Sequence, residues 1–432
     1  MLNVLYALSK ISFNKKFYVG IFLLLIICYR EFALLQFQME WDDYWVVINR
    51  FTNLGFDSDN ISSVFSEFYH GQYSPINEMY YICIFKIFGY NPFYFHLFNL
   101  LLHYLNCILV FTLLKHTCIY GLKFELQRAR VIASIATLLF AVHPLNVEPI
   151  AWLSASKIPL YSLFYLSGLL LYIKYLENEK KYLFTISVIC FIISFGAKEQ
   201  AVTFPLAISL FDFIFHRRLS LRSACEKIFL ITIAILFGYL TIVSQGMGNS
   251  ENLYSLYERI FLSFFTFSQY FSQSLIPIGL SYLYPFPFQP GEAFPFWLYF
   301  YPLVLLYSLF VLRKSFLSKP IVFGFCFFLI HILVALHLIS ISRFSVTADR
   351  YIYLSLVGFC FLIGYFLEII IKKYRNYRHI TLASTAVWFC FLLFKSNQQF
   401  RIWTNSSTLK KETRQIIRSR PDFEELKTKY SL

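Results

Sequence analysis

Apolar runs long enough to cross roughly 30 Å of hydrocarbon recur from one end of this chain to the other, which leaves it few folds. Inside a bilayer every backbone polar group must be satisfied internally, so repeated helix-length runs dictate a helical bundle. The 432 residues are 58% hydrophobic and only 14% charged, with a mean hydropathy of +0.58, far above what a soluble core requires. The expected fold is all-α and polytopic.

The net charge of +14 raises nucleic acid as a partner. Yet Lys and Arg fall in short clusters between apolar runs rather than on one face, which is how cytoplasmic loops are marked, so no nucleic-acid partner is expected. Cys28, Cys107, Cys190, Cys326, Cys360 and Cys390 all lie inside apolar runs and no pair has C-x-x-C spacing. They read as plain hydrophobes. The N-terminus, with Lys10, Lys15 and Lys16 before an apolar run from Phe17, resembles a signal peptide. No small-residue cleavage site follows before Arg30-Glu31, so the reading is an uncleaved first helix that enters from the cytoplasm.

Basic clusters at 115–130, 174–181, 216–227, 313–319 and 372–379 mark cytoplasmic loops and allow the crossings to be counted. The start of the first loop, about 39–74, is acidic and reads as external, and the loop runs to about 91 once an interfacial segment is included. An odd number of crossings must then separate it from 115–130, although two apolar segments, 76–90 and 92–114, lie between. The shorter carries Asn77, Glu78 and Lys86 and ends at Gly89-Tyr90-Asn91-Pro92, which predicts an amphipathic helix lying in the interface. Further spans are expected near 130–141, 156–175, 182–195, 200–215, 228–244, 296–312, 320–339, 351–371 and 380–395, about eleven in all. The run 259–276 conflicts with this parity and is either re-entrant or beside a misplaced boundary. Residues 1–395 form the transmembrane domain in this reading, and 396–432 a short basic external tail, possible as a truncated helical repeat.

Polar groups in such a scaffold are expensive. Glu40-Trp41-Asp42-Asp43-Tyr44-Trp45 sets two adjacent carboxylates where the chain leaves the bilayer, walled by aromatic rings that favour the headgroup zone. Such a pair can take a proton where a lipid headgroup would lie. His96, Asn99, His103 and Asn106 share one helical face, either for interhelical hydrogen bonds or as the wall of a polar cavity. Three further clusters come out on the external side. His143-Pro144 with Glu148, Trp152 and Lys157 forms a proline-broken turn; Lys198-Glu199 separates two apolar runs, where opposite charges can also simply neutralise each other; and Asp349-Arg350-Tyr351-Ile352-Tyr353 opens a crossing. Arginine beside tyrosines suits a carrier phosphate, although it is also an ordinary membrane anchor. His331 and His337 stand alone in an apolar run and read as core histidines. No soluble-enzyme motif is present, and no ligand set at diagnostic spacing calls for a metal, although a divalent cation beside Asp42 and Asp43 stays open.

In their order along the chain these residues resemble a family. Asp42-Asp43 with Asn49, Tyr73-Ser74-Pro75, Gly89-Tyr90-Asn91-Pro92 followed by His96, Asn99 and His103, His143-Pro144 with Glu148, Lys198-Glu199 and Asp349-Arg350-Tyr351-Ile352-Tyr353 look like the membrane part of the GT-C glycosyltransferases. The likeness is greatest to the transmembrane and tetratricopeptide-repeat O-mannosyltransferases and their bacterial relatives. It implies an inverting transferase that moves a sugar, mannose in that family, from a polyprenyl-phosphate donor to an acceptor hydroxyl on the external face. By the resemblance a first-loop carboxylate, Asp42 or Asp43, is the catalytic base, with Asp42 favoured because the first acidic residue of the pair has that role in related protein mannosyltransferases. Arg350, with His143 or Lys198, would hold the carrier phosphate, and Tyr353, Glu148, Lys157 and His103 complete the expected substrate site. No cofactor is implied.

The tail departs from the pattern. Trp403-Thr404-Asn405 onward looks like the opening of one repeat hairpin, and the chain then stops at Leu432. The acceptor is thus open among protein, glycan and lipid. A bacterial inner membrane, with the site on its periplasmic face, is the expected location. The rival reading, a transporter or flippase of lipid-linked sugars, would bring inverted repeats and paired broken helices, and the sequence shows no such symmetry.

Overall fold

A computed structural model describes residues 2–244, 254–338, 345–418 and 423–429. Among them every regular element is a helix, and the only β pairing is an isolated antiparallel bridge between Tyr69 and Gln72. Among the described residues five helices are long and apolar enough to cross a membrane: Pro92–Gly121, Leu153–Asn178, Leu221–Ser244, Ser355–Lys373 and Arg375–Ile402. A sixth results if Leu126–Val142 and Pro144–Ala151, bent by 57° at their junction, form one broken span. Lys181–Ala197, Phe296–Leu312 and Lys319–Ala335 are apolar but shorter, so length and composition alone mark five or six of the eleven expected crossings. The expected span 320–339 ends at a residue outside those described, as does the end of the tail.

The bundle is organised around α1 (Pro92–His116), α2 (Leu126–Val142), α3 (Lys157–Asn178), α4 (Lys181–Ala197), α5 (Lys319–Ile332) and α6 (Ser355–Lys373). They pack in the spatial order α5, α6, α2, α1, α3, α4, with α3 and α4 as a tight hairpin. Small residues set the closest approach. A Cβ on Gly358 of α6 would meet the carbonyl oxygen of Gly324 and lie 2.6 Å from the amide nitrogen of Phe328, both on α5. Leu221–Ser244 and Arg375–Ile402 have only 17% and 11% of their most apolar stretch buried, which makes them the outer helices of the bundle.

The polar face of α1 has a structural task. The chain breaks its helix at His143-Pro144 and again after the short helix Val147–Ala151, so carbonyls at these ends lack an intrahelical N–H, while Pro159 lies in the first turn of α3. Asn99 donates to the carbonyls of Pro149 and Ile150 at 3.0 and 2.6 Å, and Asn106 to that of Pro159 at 2.8 Å. His103 lies 3.1 Å from the carbonyl of Ala141 and 2.7 Å from the hydroxyl of Tyr353. Of the two readings of this face, Asn99, His103 and Asn106 follow the interhelical one. Freed backbone groups at membrane depth need such partners. His331 and His337 are buried as expected, each with a ring nitrogen on a backbone carbonyl.

The first loop carries several short helices. Asn49 caps Arg50–Leu54 by accepting from the Thr52 amide at 2.9 Å. Segment 76–90 forms the helix Pro75–Phe88, opened by Pro75 and closed at Gly89. Its 14 residues rise about 21 Å, too little to cross.

Candidate active site

A cavity of about 220 Å³ gathers residues from six separated segments. Asp42 comes from the first loop, Gly71 to Ser74 from the stretch before Pro75, and Trp152, Ser154 and Lys157 from the broken turn. Lys198 and Glu199 come from the end of α4, and Arg350 and Tyr351 from the turn ahead of α6. Thr241 and Ser244, at the end of the outer helix Leu221–Ser244, complete one wall.

The two adjacent aspartates part company here. Asp42 lines the cavity, with the indole N–H of Trp45 donating to it at 3.3 Å. Asp43 is fully buried and accepts from the Gln38 amide at 2.7 Å, the Ser154 amide at 2.9 Å and the Ser154 hydroxyl. Three donors on one carboxylate make Asp43 a staple between the first loop and the broken turn. Burial pushes its carboxyl up to about 6, even though the bonds from Ser154 and Gln38 pull the other way.

Three cations share the cavity, and each is held differently. Arg350 pairs with buried Glu148, which also accepts from the Arg350 amide at 2.9 Å. Its guanidinium lies 5.2 Å from the centre of the Trp152 ring and 5.0 Å from that of Tyr351. Glu148 thus stands behind Arg350 as its counter-charge rather than lining the cavity. Lys157 donates to the side-chain carbonyl of Gln72 at 2.7 Å, and Lys198 sits 2.8 Å from Glu199. Burial alone would raise the Glu199 carboxyl, but Lys198 and Lys157 beside it hold it at about 2. With Arg350, Lys157 and Lys198 against Asp42 and Glu199, cations outnumber anions among the lining side chains. Such a wall suits an anion with a free carboxylate facing it.

His103, His143 and Tyr353, also expected at the substrate site, do not line the cavity. His143 is fully buried with Nε2 3.0 Å from the Ser274 carbonyl, while His103 and Tyr353 bond to each other. The other His143 ring nitrogen accepts from the Leu145 amide, the other His103 nitrogen faces the Ala141 carbonyl, and the Tyr353 hydroxyl also accepts from Asn106. Ser154, Gln72 and Trp152 proved to shape the site. Only Trp152 drew notice in the sequence, because a serine between Leu153 and Ala155 and a glutamine in a polar loop carry no local signal.

No protein-family model matches the chain. Over 188 residues, 43% of its length, it is 29% identical to the protein O-mannosyl-transferase F38B6.6 of Caenorhabditis elegans. Over that stretch the chain is similar to protein O-mannosyl-transferases. Its likeness to the human protein O-mannosyl-transferase TMTC1 is also 29%, over 157 residues and 33% of the chain. The homologous stretch spans only 24% of the nematode protein and 16% of the human one.

Proposed function

We propose that the chain is a membrane glycosyltransferase that moves a sugar, mannose by analogy with its homologues, from a polyprenyl-phosphate donor to an acceptor hydroxyl. Asp42 is the base that takes the hydroxyl proton as the oxygen attacks the anomeric carbon, which inverts its configuration. The carrier phosphate leaves as an anion, so cations aimed at it favour the transition state. Arg350, Lys198 and Lys157 take that part, with Glu148 and Trp152 orienting Arg350. The single observation that carries this reading is the shared cavity, in which one accessible first-loop carboxylate faces three cations from three other segments.

In the same proposal the domain 1–395 crosses the membrane about eleven times, the cavity opens on the external, periplasmic face of a bacterial inner membrane, and no metal takes part. His103, His143 and Tyr353 then act on the framework of the site instead of on the donor. The test is transfer of radiolabelled mannose from polyprenyl-phosphate mannose to membrane extracts, with wild-type protein and with Asp42→Asn. Label transferred by the wild type and lost in the variant is the expected result. Equal transfer by both proteins removes Asp42 as base.

A further inference from the structure

The segment after the last long helix is strapped onto the cavity's two walls. Trp403 is buried, and its carbonyl accepts from the Gln38 side chain at 2.6 Å across 365 residues of sequence. The Gln38 amide in turn donates to Asp43, the neighbour of Asp42. Nearby, the Gln36 amide donates to the Thr404 carbonyl at 2.9 Å, and the Glu40 amide to the Ser406 hydroxyl at 3.3 Å. On the other wall the Trp403 ring stacks on Trp152 at 5.6 Å and 23°, and Trp152 is the ring against which Arg350 rests. Tyr282 packs edge-on to both Trp152 and Trp403 and lies 4.4 Å from Trp41.

The helix that follows, Ser406–Ile417, is built for this contact. Asn405 caps it by accepting from the Thr408 amide at 2.9 Å, and Ser406, Leu409, Thr413 and Ile417 fall on its buried face. Lys410 reaches Glu40 at 2.5 Å and lies over the Trp41 ring.

We infer that Trp403–Ile417 is a positioning element for the proposed transfer, holding the Asp42 loop in register with the cationic wall of the cavity. This rests on the transferase reading. Gln38 and Trp403 are the positioning residues: they act through Asp43 and Trp152 and do not touch the substrate. A reacting group displaced by an ångström costs far more in rate than in ground-state binding, so loosening the strap should lower kcat and spare the donor KM.

The test uses the full chain in detergent, with polyprenyl-phosphate mannose as donor and membrane extract as acceptor. Gln38→Ala should lower kcat roughly ten- to a hundredfold at unchanged donor KM, and should speed amide exchange in residues 36–45. Glu40→Lys and Lys410→Glu should each lower kcat a few-fold, and the double reversal should recover it, a rescue that general destabilisation would not give. A wild-type kcat in Gln38→Ala, or unchanged exchange in 36–45, overturns the inference and leaves the transferase reading standing. A wild-type protein that transfers no sugar overturns both.

Discussion

Asp43 accepts both the backbone amide and the hydroxyl of Ser154, 111 residues downstream, and so ties the first loop to the turn that carries Trp152 and Lys157. Its neighbour Asp42 faces the cavity. Two carboxylates side by side in sequence therefore stand on opposite sides of one short backbone turn, one in the interior and one toward the substrate space.

That separation predicts different failures for the two asparagine variants. Asp42→Asn should fold normally, bind donor and lose roughly 10²- to 10⁴-fold in turnover, because size and polarity survive and proton affinity does not. Asp43→Asn should lose about 1–3 kcal/mol of stability, since an amide N–H₂ must then face one of three donors. Thermal denaturation beside single-turnover rates distinguishes them. Two variants equally stable and equally inactive would contradict the assignment.

The raised carboxyl of Asp43 also predicts a pH effect. The folded protein holds this proton more tightly than the unfolded chain, with about 6 against an ordinary 3.8. The stabilisation is therefore complete below the ordinary value and lost as pH rises through about 6. The stability of wild type relative to Asp43→Asn should shrink between pH 4 and 7. A difference that stays flat over that range would show the carboxyl to be ionised throughout.

Arg350→Ala should act on the donor rather than on the proton, raising the donor KM while kcat falls less than in Asp42→Asn. Glu148→Gln removes the counter-charge behind the same guanidinium. Breaking a buried pair costs up to about 3 kcal/mol here, at the low end because the Arg350 side chain keeps 22% of its surface exposed. Denaturation and donor titration together separate the two. If Arg350→Ala left the donor KM unchanged, the cationic wall would have another function.

Membrane sidedness follows from Pro75–Phe88 not crossing. Asp57→Cys and Lys123→Cys should react with an impermeant thiol reagent from opposite faces of sealed vesicles. Reaction from the same face would place the two loops together and detach the cavity from the external side.

Gly358→Ala should destabilise by about 1–3 kcal/mol, because the added methyl meets the backbone of α5 and only a shift of the α5–α6 pair can relieve it. A melting point equal to that of wild type would mean that this helix pair is less closely packed.

The sequence by itself determined the helical class, the short first-loop helix, and the proline-broken turn at His143-Pro144. Those follow from free energies local to a segment: hydropathy over helix length, helix propensity, and the missing N–H of proline. It also marked Asp42, Lys157, Lys198 and Arg350 as charges too expensive to lie in such a chain without partners. Only the tertiary structure decided that Asp43 is the staple and Asp42 the half-buried carboxylate that lines the cavity, and that His103, His143 and Tyr353 are occupied by the framework. It alone set Trp403 and Gln38 against the same cavity. A side chain's role depends on which donors, acceptors and rings surround it, and here those neighbours come from segments up to 370 residues apart, as for Glu40 and Lys410, beyond the reach of any local pattern.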